Sequence, residues 1–185
     1  MIEKNVLASD GKNYKVTVTY GADANLPEDV DLSVRELNQD TEDYCHYLEE
    51  SASRLGKEAD DISYARIFDI SLVSKNNPDT HYQPEADVAV SIELVDADES
   101  RMENLKVLHI SEDHVDVLDT SADGNALNFL TGSFSIYPIV DEGDDARIGY
   151  RFWYNDGTQN LLLSTQYFRY KDVHPDTGEA MELYT

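Results

Sequence analysis

Apolar and polar residues alternate along the first predicted strand, which covers Asn13–Tyr20. Every second position is apolar, and these side chains share one face of the strand: Tyr14, Val16, Val18 and Tyr20. Lysine and threonine occupy the positions between them. A period of two residues is typical of a strand with one buried face and one face in solvent. We therefore predict a half-buried strand here.

The hydrophobic period changes to helical spacing over residues 41–56. Thr41 has the side chain of an N-cap residue, and two acidic residues follow it in the first turn. Apolar and small side chains then recur on one stripe, at Tyr44, Tyr47, Leu48, Ser51 and Leu55. Gly56 suits the end of a helix. The pattern predicts one amphipathic helix whose stripe packs against a sheet.

Short strand-like segments separated by turn signals make up most of the chain as far as residue 140. Besides the first strand, they are residues 31–37, 62–73, 86–95, 105–110, 114–118, 126–130 and 133–140. So many short strands at this spacing predict a mainly β fold, an antiparallel β-sandwich or a partly open barrel. The single helix among them disfavours a parallel α/β fold, in which helices alternate with strands.

An acidic segment at residues 141–145 marks the best domain boundary. Beyond it, residues 149–154 and 160–170 flank an Asn-Asp-Gly turn, which is a signal for a β-hairpin. We therefore predict a β-sandwich over residues 1–141. Residues 142–185 are predicted to form a β-hairpin linker or the start of a next module.

The chain has 14 basic and 38 acidic residues and a formal net charge of −24. Because binding to phosphate groups needs a basic footprint, this charge disfavours nucleic acids and anionic membranes as partners. The sequence has neither an apolar run long enough to span a membrane nor an apolar signal segment at its start. Two interpretations are compatible with this, a cytosolic protein or a fragment of an exported protein whose signal lies outside this sequence, and we favour the fragment. Its one cysteine, Cys45, allows no internal disulfide.

The strand segments Ile62–Ser71 and Gly132–Val140 contain YARIFDI, from Tyr64, and FSIYPIV, from Phe134. They resemble the YARFFDI-like and FSVYAVV-like strands of a module of Gram-positive cell-surface proteins. The resemblance extends to Leu26–Leu37 and to the helix that follows, and it covers the chain in order up to the predicted boundary.

This resemblance implies a non-enzymatic structural or adhesion-associated module within a large extracellular protein that is attached to the bacterial cell wall. The implied partners are neighbouring domains of the same polypeptide and a host or cell-surface protein or glycan. No cofactor is implied. The module is also distantly similar to the β-sandwich modules of netrin receptors and ankyrins, some of which cut themselves.

The segment His109-Ile110-Ser111 resembles the His-Phe-Ser cleavage site of those self-processing modules, with isoleucine in place of phenylalanine. In that chemistry the serine hydroxyl attacks the preceding carbonyl carbon in an N-to-O acyl shift. Histidine assists the proton transfer, and water then hydrolyses the ester. Self-cleavage at Ile110–Ser111, with His109 and Ser111 as the reacting pair, is therefore an alternative function.

Covalent cross-links of bacterial surface proteins suggest further candidate chemistry. Cys45 and Gln166 could form a thioester, but Cys45 is expected to be half-buried in the helix, whereas that motif places its cysteine on a strand. Lys15 and Lys106 could form isopeptide bonds with a buried acid. However, Lys15 is expected to be exposed, and no partner can be named for Lys106. We expect neither cross-link.

Asp-rich segments at residues 96–99, 141–145 and 155–156 could hold Ca²⁺, which prefers several oxygen ligands. None has the ligand spacing of a known calcium loop, and the five histidines are scattered without a zinc spacing. We predict no metal site. Exposed aromatic residues such as Trp153 and Tyr154 support a second alternative function, a carbohydrate- or protein-binding domain.

Arg66 is predicted to have a structural role. It alternates with the apolar residues of its strand, Ile62, Tyr64, Phe68 and Ile70. An unpaired charge on that face would be costly to bury. Glu36 shares a face with Leu32 and Val34 on another predicted strand, so we predict a structural ion pair between Arg66 and Glu36.

Overall fold

The computed structural model describes residues 1–8, 11–94, 102, 104–111 and 114–141, and the backbone of residues 147–155 and 160–169. The chain divides into two compact units, Met1–Glu142 and Gly143–Thr185. Within the described residues, no helix is both long enough and apolar enough to cross a membrane.

The described part of the first unit is mainly β-structure and contains the predicted amphipathic helix. Helix α1 is Glu42–Arg54, and two short 3-10 helices are Ala22–Ala24 and Ala59–Asp61. The strands of this unit are β1 (Ile2–Leu7), β2 (Asn13–Thr19), β3 (Val30–Glu36), β4 (Ala65–Ser74), β5 (His81–Tyr82), β6 (Val88–Glu93), β7 (Leu105–Ile110), β8 (Val115–Val117), β9 (Thr120–Asp123), β10 (Ala126–Thr131) and β11 (Ile136–Asp141). The second unit contains β12 (Arg147–Asn155) and β13 (Asn160–Arg169).

The strands of the first unit form two antiparallel sheets. Sheet A has the strand order β1-β2-β6-β10-β9, and sheet B has the order β3-β4-β11-β7-β8, with β5 paired to β4. In the second unit, β12 and β13 pair as the predicted hairpin. The mainly β, sandwich-like fold is confirmed, and the sheets do not close into a barrel.

The core lies between the inner faces of the two sheets, where the period-two pattern places the apolar side chains. In β2, Tyr14, Val16 and Val18 are fully buried, whereas Lys15 between them is partly exposed. Tyr14 meets Phe68 of sheet B edge to face, with ring centroids 5.5 Å apart. The alternation predicted for this strand is therefore confirmed.

Helix α1 packs on the outer face of sheet B, the face opposite the core. The Thr41 hydroxyl oxygen accepts a hydrogen bond from the backbone N–H of Tyr44 at 3.3 Å, so Thr41 is the N-cap as predicted. Tyr44 forms a small apolar cluster with Ile67 of β4, against which Leu48 packs. Gly56 ends the helix as predicted, since it has a left-handed φ of +71° directly after the C-cap residue Leu55.

Three strands are missing from the sequence prediction. They are β1, β5 and β9, of which β1 is largely exposed and β5 has only two residues. Strand β9 occupies most of the interval between the predicted strands at 114–118 and 126–130, and a left-handed φ of +59° follows it at Gly124. The strand predicted from residue 62 begins instead at Ala65, because Ser63 bonds through its backbone N–H and its hydroxyl to the Asp141 carboxylate.

Candidate functional site

Arg66 and Glu36 form a buried ion pair between β4 and β3. Nη1 of Arg66 lies 2.8 Å from Oε1 of Glu36, and the two side chains are 8% and 3% exposed. The guanidinium also lies over the ring of Tyr14 in sheet A, 5.5 Å from its centroid, in a cation–π contact. The structure thus brings together the two residues singled out from the sequence, at a point where both sheets contribute.

His109 projects from β7 into the sandwich, where it is 7% exposed. Its ring stacks on Tyr137 of β11 with centroids 4.9 Å apart, and its Nε2 lies 2.8 Å from the hydroxyl of Ser135. That hydroxyl donates to the carbonyl of Ile110 at 2.6 Å, so Nε2–H of a neutral imidazole donates to the Ser135 oxygen. Burial lowers the pKa of His109, and the charge of Asp116, its register partner on β8, offsets this only in part.

Ser111 lies just beyond β7 and is exposed. Its backbone N–H donates to the carbonyl of His114 at 2.9 Å, and its hydroxyl lies 3.4 Å from the same oxygen. The imidazole of His109 and the hydroxyl of Ser111 therefore have different hydrogen-bond partners. The structure does not join the two candidate residues for self-cleavage by a direct hydrogen bond.

Ser135 is the residue of this network that sequence reasoning missed. It contacts His109 because β11 pairs with β7, with Ile136 opposite Ile110. A serine before a strand gives no local signal of such a contact. Only the order of the strands in sheet B, which the hydrophobic pattern does not encode, would have identified it.

Cys45 lies in the first turn of α1 and is exposed with a free thiol. The expectation of a half-buried cysteine was wrong, since Tyr44 is the one buried residue in that turn. Gln166 belongs to β13 of the second unit, and its side chain lies outside the described residues. Cys45 is therefore a helical residue, whereas the thioester motif places its cysteine on a strand.

The two lysines considered for isopeptide bonds differ in environment. Lys15 makes an ion pair with Glu3 on the neighbouring strand, with Nζ 2.9 Å from Oε2 and 41% of its side chain exposed. The hydrogen bond and charge of Glu3 raise the pKa of Lys15. Lys106 is partly buried on β7. Neither environment is that of a lysine deep in the sandwich core.

Within the described residues, no group of three histidine, cysteine or acidic side chains is placed to hold a metal ion. Of the Asp-rich segments, residues 96–99, 142–145 and 156 lie outside the described residues. Asp141 accepts hydrogen bonds from Ser63. Trp153 and Tyr154 lie on β12, and their side chains are likewise outside the described residues.

The outer face of sheet A carries a row of neutral polar residues. The register of four adjacent strands aligns Thr17, Ser91, Asn128 and Ser121 across the sheet. These residues and their neighbours line a shallow cavity of about 440 Å³. Sequence reasoning used Thr17 only as the polar side of an amphipathic strand, and it missed the row because the row exists only after the strands are paired.

The fold and these contacts define an antiparallel β-sandwich with a helix on one outer face. Comparison with protein-family models, with curated proteins and with solved structures found no match. The function is therefore argued from the side chains and faces described above.

Proposed function

We propose that this chain is a non-enzymatic structural module of a large bacterial surface protein. It is exported and held at the cell wall through other parts of the polypeptide, and its partners are the domains beside it. The observation that carries this proposal is that two polar side chains buried in the sandwich, Arg66 and His109, each bond to a residue of a neighbouring segment of sheet B. Arg66 joins Glu36, and His109 joins Ser135.

These contacts fit a module whose task is to keep its shape. A buried ion pair adds little net stability but makes alternative strand pairings costly, because each would leave a charge unpaired in the interior. The hydroxyl of Tyr137 similarly donates to the carbonyl of Ser133, while Thr131 contacts both. With one cysteine in the chain, internal cross-links of this non-covalent kind take the place of disulfides.

The resemblance of the strands at residues 64–70 and 134–140 to a Gram-positive surface module supports the cellular location. Antibodies raised against residues 1–141 should label intact cells of the source bacterium without permeabilisation. Labelling that requires permeabilised cells would contradict the surface location. The structural role would then still be tested by the intact mass of the purified protein.

Self-processing at Ile110–Ser111 is the second candidate, and one observation favours it. The hydroxyl of Ser135 donates to the carbonyl oxygen of Ile110, the carbonyl that Ser111 would attack. A donor placed on that oxygen would stabilise the negative charge that develops there. The contact equally serves to hold the end of β7, which is the role it has in the structural proposal.

The mass of the purified protein separates the two candidates. We expect one intact species of 20.9 kDa after prolonged incubation at neutral pH. Two fragments whose junction is Ile110–Ser111, formed by the parent and abolished by Ser111→Ala, would establish self-processing instead. A Ser121→Ala protein is the matched control, since Ser121 is an exposed serine of β9 away from the predicted junction.

A further inference from the structure

One outer face of the sandwich is covered by a helix, and the other is exposed in the described part of the chain. Helix α1 packs on sheet B, with Tyr44 donating from its hydroxyl to the carbonyl of Ala65. On sheet A, the outer-face residues Thr17, Ser91 and Asn128 are partly exposed, and Leu130 is 61% exposed. Sheet A is therefore the sheet whose outer face is accessible in the described part of the chain.

The row on this face is rich in hydrogen-bonding groups for which the described residues provide no partner. Thr17, Ser91, Asn128 and Ser121 lie side by side on four strands, and with strands about 4.8 Å apart the row spans about 14 Å. Hydroxyl and carboxamide groups each both donate and accept. None of these four side chains has a hydrogen bond to another described residue.

The next row on the same face adds an apolar surface. Thr19, Ala89 and Leu130 are aligned by the same register, and they border the cavity of about 440 Å³ together with the first row. That volume falls within the roughly 300–1,000 Å³ of small-molecule sites. An exposed leucine beside a row of hydroxyl and amide groups offers apolar contact and hydrogen bonds to one ligand.

The charge of this surface restricts the ligand. The seven residues of the two rows are all uncharged, in a chain of which 28% of residues are charged and whose net charge is −24. Such a protein repels phosphate, sulfate and uronate groups over its surface. The two rows carry no charge. Of the described residues that line the cavity, Asp119 is the charged one, and its carboxylate adds to the repulsion of anionic groups and can accept hydrogen bonds from hydroxyl groups.

The geometry also favours a ligand that binds through side chains. An extended peptide that adds to a sheet pairs with backbone groups of an edge strand. β2, β6 and β10 are interior strands whose backbones are already paired on both sides. We infer that the outer face of sheet A binds a neutral saccharide chain, whose hydroxyl groups pair with Thr17, Ser91 and Asn128 while a ring packs on Leu130. This inference goes beyond the structural role proposed above and does not depend on it.

Affinity electrophoresis tests the inference with the full chain. The gels contain soluble xylan, mannan or mixed-linkage β-glucan, and polygalacturonate serves as the anionic comparison. We expect at least one neutral polysaccharide to retard the protein. Loss of a single hydrogen bond in Ser91→Ala or Asn128→Ala should raise the dissociation constant by about two- to tenfold.

Ser33→Ala is the matched control, because Ser33 is an exposed serine on β3 of sheet B. It should leave the dissociation constant unchanged. If Asn128→Ala fails to fold, Thr17→Val replaces it as a variant of similar shape. Absence of retardation by all three neutral polysaccharides would overturn the inference, as would equal binding by parent and row variants or binding to polygalacturonate alone.

Discussion

Arg66 and Glu36 face each other across β4 and β3 inside the sandwich, 2.8 Å apart and almost free of solvent. Only one residue away on β3, Arg35 makes an ion pair of similar length with Asp69, but 72% of the Arg35 side chain is exposed. The same two strands therefore carry one buried and one exposed ion pair, whose contributions to stability can be compared directly.

Glu36→Gln should destabilise the protein by about 3–5 kcal/mol, since it leaves the buried guanidinium of Arg66 without its carboxylate. Urea unfolding followed by circular dichroism measures this change in the free energy of unfolding. Asp69→Asn is the control, and removal of this exposed pair should cost only about 0–1 kcal/mol. Equal losses in the two variants would contradict a special cost for the buried pair.

Replacing both partners by apolar residues, as in Glu36→Leu with Arg66→Met, should restore much of the stability lost in Glu36→Gln. Buried ion pairs replaced by packed apolar side chains are often neutral or stabilising by about 1–4 kcal/mol. A double variant less stable than Glu36→Gln would show that the contact of the guanidinium with Tyr14 contributes more than the charge pair.

Acidification should destabilise the protein through His109. Burial holds the pKa of His109 below the ordinary 6.5, so the unfolded chain takes up the proton first as the pH falls. The contribution to the free energy of unfolding is therefore complete above pH 6.5 and declines below it until the folded pKa is reached. Urea titrations between about pH 7.5 and 5 should show a steeper decline for the parent than for His109→Gln.

The helix should contribute to stability through a partly buried stripe. Leu48 is half-buried against the cluster of Tyr44 and Ile67, so Leu48→Ala should cost about 2 kcal/mol, the lower end of the range for buried leucines. Thermal and urea unfolding measure the loss. Glu49→Ala, at the exposed neighbouring position, should unfold like the parent, and a Leu48→Ala protein that does the same would exclude the packing role.

The backbone of Asn25 is in the left-handed region, with a φ of +49°. Its side-chain amide donates a hydrogen bond to the carboxylate of Glu85 at 2.9 Å. Asn25→Val should cost about 1–2 kcal/mol, because a β-branched residue is strained at positive φ. Asn25→Gly loses the side-chain bond but keeps the backbone freedom, so it should be close to the parent in the same unfolding assay. A valine variant as stable as the glycine variant would refute the role of the backbone conformation.

The sequence predicts what depends on local periodicity. The alternation around Arg66 identifies a charge on an apolar face, and the spacing from Thr41 to Gly56 identifies the helix and its cap. The contact of His109 with Ser135 depends instead on β11 lying between β4 and β7, an order set by the packing of the whole chain. The row at Thr17 and Asn128 is hidden for the same reason, since its members are far apart in sequence.

The order of the strands also determines how the first unit would carry mechanical load. Among the described strands, β1 lies at the edge of sheet A and pairs with β2 alone. β11, the last described strand of the unit, is bonded on both sides, to β4 and β7. Tension along the polypeptide would therefore separate β1 from its sheet before β11, which is held by hydrogen bonds on both sides.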